Sequence, residues 1–134
     1  MNGITALLLF AAWTLALMLT YVFYRTALVM SGQKRADSWT RGRPTEDPGF
    51  VVRAQHAHMN CVENLPIFAA IVLSAYALGK PAAADGVASY VLGARVAQST
   101  VHLIGVNHLL VFVRGTLFTI QVALFLYMIW ELLP

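Results

Sequence analysis

A single cysteine, Cys61, stands among the 134 residues, so no disulfide can form within the chain. Charge is scarce as well: Asp, Glu, Lys and Arg make up 11% of the sequence, against about 25% in a water-soluble domain. That shortage excludes a soluble globular protein. The net charge of +3 shows no basic patterning suited to a nucleic-acid groove, so nucleic acid is not an expected partner. Metal chemistry is disfavoured too. No two of the four histidines stand four apart, and His56 and His58, two apart, diverge on a helix. Proline is nearly absent from the apolar stretches, where Pro66 alone falls.

What fills the chain instead is apolar: 59% of residues are hydrophobic. They gather into four stretches, 4–30, 50–78, 83–106 and 109–133, each able to supply the ~20 residues that cross a bilayer. The expected fold is therefore an all-α integral membrane protein, a four-transmembrane-helix bundle forming one domain over 1–134. No Lys or Arg precedes the first stretch, and its length exceeds a signal h-region, so it is read as a retained span. Lys34, Arg35, Arg41 and Arg43 lie in the first connection, 31–49, and Lys80 alone in the second. The positive-inside rule then places the first loop in the cytoplasm and both termini opposite.

Local signals mark the ends. Pro48 suits the start of the second helix, with Asp47 as a candidate cap. Gly79, Lys80 and Pro81 form a stop and restart, and the brief connection at 105–108 predicts an antiparallel hairpin of the last two spans. Pro66 frees the carbonyl of Val62, which predicts a kink beside Glu63. Cys61 is read as a small buried residue rather than a reactive thiol.

Arg53, His56, Asn60 and Glu63 interrupt the second stretch at steps of three, four and three, which places them on one helix face. A charge near the bilayer centre costs roughly 2.5–3.5 kcal/mol on insertion scales, so this face must meet protein or a polar cavity. The third stretch carries Arg95, Gln98, Ser99 and His102, and the fourth Arg114, Thr119 and Gln121. With ~1.5 Å of rise per residue, Glu63 lies ~15 Å beyond Arg53, and Arg95 lies ~17 Å from Val106 on an opposed helix. The two are expected at similar depth, with Arg114 one to two turns into the last span. The alternative is a set of interhelical ion pairs that only fix packing. Arg25, near one end of the first span, reads by itself as a snorkelling side chain at the membrane boundary.

The segment RAQHAHMNCVENLPIF, residues 53–68, resembles the second-helix signature of the membrane-associated proteins in eicosanoid and glutathione metabolism, the MAPEG family. Ala57-His58, Asn60, Glu63 and Pro66 carry the likeness. GARVAQSTVHLIG resembles that family's third helix and RGTLFTIQ the start of its fourth, so the resemblance spans essentially the whole chain. It implies a homotrimer of four-helix bundles in a bacterial inner membrane, with glutathione as co-substrate between adjacent subunits. Arg25 would then lie near the glutathione carboxylates, Asn60 and Glu63 would hold the peptide, and Arg95 would support them. Arg53, His56, His58 and His102 would complete the binding region, and Arg114 would stabilise the thiolate as the catalytic residue. His56 stands where many relatives carry arginine, and His102 where catalytic relatives often carry tyrosine. The implied function is a membrane-bound glutathione-dependent transferase or peroxidase acting on lipophilic electrophiles. The alternative is a non-catalytic lipid- or ligand-binding scaffold of the same architecture.

Overall fold

The computed structural model describes residues 1–44 and 46–134 and contains, among them, helices but no strand. Helix α1 spans Gly3–Met30 and opens on Asn2, whose side-chain oxygen accepts the N–H of Thr5 at 2.7 Å. It ends at Ser31 and Gly32, where a φ of +73° suits glycine alone. A 3₁₀ turn at Ala36–Trp39 occupies the first connection, and α2 follows over Gly49–Ala77, continuous through Pro66. Helix α5 spans His108–Leu132 behind Asn107, whose side chain accepts the N–H of Leu110 at 3.0 Å. These three helices are long and apolar enough to cross a membrane.

The third stretch departs from its expected 83–106. It divides into a single turn, α3 at Ala82–Asp85, and α4 at Ala88–Ile104. The cause is tertiary. Asp85 Oδ1 accepts the N–H of Gly3 at 2.7 Å and the O–H of Tyr76 at 2.9 Å, which turns this carboxylate onto the start of α1. The approach is close enough that a Cβ on Gly3 would stand 3.2 Å from that of Ala84. What remains, α4, has 17 residues and a length of ~26 Å, the shortest of the four main helices.

Two further expectations change. Among the described residues no side chain caps α2: Asp47 turns away and accepts from Arg25 and Trp39 instead. His108 is the first residue of α5 rather than part of the preceding loop.

Helices α2 and α4 form the inner pair, each meeting the other three long helices, while α1 and α5 flank them. Inside a bilayer, lipid tails are as apolar as leucine, so helices associate through close van der Waals contact and polar groups rather than through water exclusion. The sequence supplies small residues for this: Ala54, Ala57, Cys61, Ala75, Ala88 and Ala94 are all buried. Phe10, Phe68 and Phe125 fill the centre, with ring centroids 5.7 and 5.9 Å apart. Leu8, Phe23, Phe112 and Trp130 point outward and are exposed in the single chain, the apolar exterior of an integral membrane protein. Lys80 Nζ donates to the carbonyl of Leu132, so the α2–α3 connection and both chain ends share one end of the bundle.

Candidate functional site

On α2 the inward stripe runs Ala54, Ala57, Cys61, Asn64, and the polar stripe Arg53, His56, Asn60, Glu63 stands one residue before it. One residue is about 100° of helix rotation, so the polar groups sit on the flank of the bundle rather than at its centre. His56 and Glu63 are exposed in the single chain, and Arg53 and Asn60 half-buried.

The flank borders a cavity of about 300 Å³ walled by three helices. Helix α2 contributes Asn60, Glu63 and Asn64, and α4 contributes Arg95 and Gln98. Helix α5 contributes Val111, Arg114, Gly115 and Phe118, which helical spacing brings to one face. Four of the expected site residues, Asn60, Glu63, Arg95 and Arg114, therefore converge here.

Arg95 is fully buried. Its Nη2 donates to Gln121 Oε1, and its guanidinium carbon lies 5.6 Å from the centre of the Phe10 ring. Ser99 returns its hydroxyl to the Arg95 carbonyl at 2.9 Å and lies 3.6 Å from the sulfur of Cys61, which is buried as expected. Glu63 shares the cavity with Arg95, but no ion pair joins them among the described residues. The opposite charges expected at similar depth thus face one space without contact. Gln98 Nε2 donates to the carbonyl of Arg114 at 3.4 Å, and Asn64 Nδ2 to that of Asn60 at 2.8 Å. Of the five buried polar atoms without a protein partner among the described residues, four gather here, Arg95 Nε and Nη1, Gln98 Oε1 and Gln121 Nε2, and the fifth is Trp13 Nε1.

The other expected residues stand apart from the cavity wall. Arg53 Nε donates to the carbonyl of Leu103 at 2.9 Å, satisfying an otherwise free acceptor at the end of α4. His102 is buried beside Asn60, whose Nδ2 lies 3.5 Å from the ring Nδ1, and its ring centroid is 6.1 Å from that of His56. The two form a rim near the Arg53 end of the cavity. His58 turns toward α1, where its Nδ1 meets the hydroxyl of Tyr21 at 2.9 Å. Arg25 is also on the α1 side. It donates twice to Asp47 Oδ2, at 2.9 and 2.7 Å, and once to Gln55 at 2.7 Å, between the rings of Tyr21 and Trp39. The structure brings neither Arg25 nor His58 to the cavity of its own chain.

Asn64, Val111, Gly115 and Phe118 went unnoticed in the sequence. Asn64 had a signal, one turn beyond Asn60, but the apolar wall of α5 is indistinguishable from lipid-facing residues until the helix rotation is known. The assembled groups can do specific chemistry. A half-buried guanidinium, a carboxylate and several amides in one cleft suit a ligand bearing both an anionic and a cationic group. Among the described residues no three His, Cys, Asp or Glu gather as metal ligands.

The model of the MAPEG family matches residues 4–133. No curated protein and no solved structure matches the chain.

Proposed function

The chain belongs to the MAPEG family, and from that premise we propose that it is a membrane-bound glutathione-dependent transferase or peroxidase acting on lipophilic electrophiles. The observation that carries this reading is the convergence of Arg114, Glu63 and Asn60 on one cavity beside apolar Val111 and Phe118. Glutathione is anionic overall and carries an ammonium, so it needs guanidinium donors together with a carboxylate. In this reading Glu63 takes the α-amino group and Asn60 the peptide. Arg114 lowers the thiol pKa, and the thiolate is the attacking species. The sulfur displaces a leaving group from the electrophile, or attacks a peroxide oxygen, breaking the O–O bond, releasing the alcohol and leaving a sulfenic acid. A second glutathione thiol reduces that acid to the disulfide with loss of water. Arg114 holds the thiolate charge until the bond to sulfur forms. In this proposal α4 completes a four-span bundle, and a homotrimer places Arg25 of one subunit near its neighbour's site. The basic first loop would face the cytoplasm of a bacterial inner membrane.

Arg114→Ala is expected to suppress conjugation of a generic aryl halide far more than it weakens glutathione binding. The thiolate charge exists only after deprotonation, whereas the carboxylates have other anchors. Arg114→Lys keeps the charge without the planar fork and should rescue in part. The measurement is the ultraviolet thiolate absorbance of bound glutathione as a function of pH. Identical titration in wild type and Arg114→Ala would remove the catalytic assignment.

One observation favours a second reading, a non-catalytic ligand-binding protein: among the described residues no Ser, Thr or Tyr hydroxyl lines the cavity to assist the guanidinium. Glutathione-dependent thermal stabilisation without turnover would select it.

A further inference from the structure

Arg95 presents an electrostatic problem that the thiol reading does not use. A fully buried guanidinium in an apolar bundle needs a counter-charge, since an isolated ion out of water is among the most costly groups a fold can contain. Among the described residues it has no carboxylate partner, and Glu63, the carboxylate of the same cavity, stays out of ion-pair distance. What Arg95 does have is rigidity: Gln121 Oε1 holds Nη2, and the Phe10 ring backs its carbon at 5.6 Å.

The donors left over are Arg95 Nε, Arg95 Nη1 and Gln121 Nε2, all buried and without a protein acceptor. Because Gln121 gives its oxygen to Arg95, its own amide N–H₂ lies beside the guanidinium. These nitrogens surround a fixed cation, but Nε and Nη1 donate in diverging directions, so a single acceptor reaches only one of them.

We propose that the Arg95–Gln121 pair is a binding site for one small monovalent anion, recessed in the cavity wall. Its chemistry suits a halide or a single carboxylate group. Either supplies the missing charge and engages one free edge of the guanidinium, whereas a water molecule accepts hydrogen bonds but leaves the charge uncompensated. A divalent oxyanion would bring more charge than one guanidinium balances. The site does not depend on glutathione occupying the cavity, and the tests below read it without turnover.

The purified protein is unfolded thermally in mild detergent, in sodium gluconate and in gluconate with increasing chloride, bromide or formate at constant ionic strength. A bound anion should raise the Tm saturably by a few degrees, in proportion to occupancy. Arg95→Gln should abolish that dependence. Because loss of the buried guanidinium can unfold the bundle by itself, Gln121→Glu provides a second arm, placing a permanent carboxylate against Nη2. It should match or exceed in gluconate the Tm that wild type reaches in chloride, and lose its response to added anion. A wild-type Tm equal in chloride and gluconate would overturn the site. So would a halide response that survives in Gln121→Glu, or a Gln121→Glu protein less stable than wild type in gluconate. Titrating glutathione with and without chloride separates the two sources: competition identifies a ligand carboxylate at the same donors, and independence identifies a free halide.

Discussion

Asp47 shows how much of the fold can rest on one side chain. It accepts both bonds from Arg25 and the indole N–H of Trp39 at 2.9 Å, and its side chain is 4% exposed against 14% for Arg25. Three segments meet there: the end of α1, the 3₁₀ turn and the approach to α2. Replacing Asp47 by Ala leaves a largely buried guanidinium without its carboxylate, which typically costs roughly 3–5 kcal/mol. The expected result is a markedly lower Tm in mild detergent and faster proteolysis of the 31–49 connection. Arg25→Met with Asp47→Ala should lose less than the two single changes summed, because each single change already breaks the same contact. The surface pair Lys34–Glu46 is a contrast, since Glu46 is 84% exposed and its removal should scarcely register.

The turn between α4 and α5 has little to hold it besides Asn107. Its side chain satisfies Leu110 N–H at the start of a 25-residue helix whose first turn has no acidic residue. Asn107→Ala should therefore lower stability by about 1 kcal/mol, and Asn107→Asp should retain it. Faster amide exchange at Leu110 in the Ala variant would localise the effect. At this scale the sequence was legible where the bilayer itself imposes the rule. Long apolar runs had to be helices, and steps of three and four marked Arg53, His56, Asn60 and Glu63 as one face. The break at Gly86–Val87 had a faint local signal in Asp85-Gly86, but what the Asp85 carboxylate turns toward, the N–H of Gly3, lies 82 residues away in the sequence. The partner of Arg95 was hidden for a related reason. Periodicity tells which residues share a face, but only the rotation of α5 against α4 decides that Gln121, rather than Glu63, reaches the guanidinium.

The whole molecule has an apolar exterior interrupted on one flank. His56 and Glu63 are exposed there, in a helix long and apolar enough to span a membrane. A lone bundle would turn an ionised carboxylate toward hydrocarbon, at roughly 2.5–3.5 kcal/mol near the centre on insertion scales. Association that covers this flank removes the penalty, and we expect three chains in mild detergent by native mass spectrometry. A stable monomer that retains full glutathione binding would contradict a shared site between subunits.

The positions of the tryptophans have a practical consequence. Trp13 lies ten residues into α1, ~15 Å from its start, while Trp130 is exposed near the end of α5 and Trp39 is fixed to Asp47 beside the connecting loop. These three indoles occupy three levels along the bundle axis, so the protein carries its own optical depth gauge. Lipids brominated at successive carbons should quench Trp13 most strongly from the chain ends and Trp130 from nearer the headgroups, while Trp39 responds to aqueous iodide. In sealed vesicles of known sidedness, the iodide response reports which leaflet the first loop faces without any label being attached.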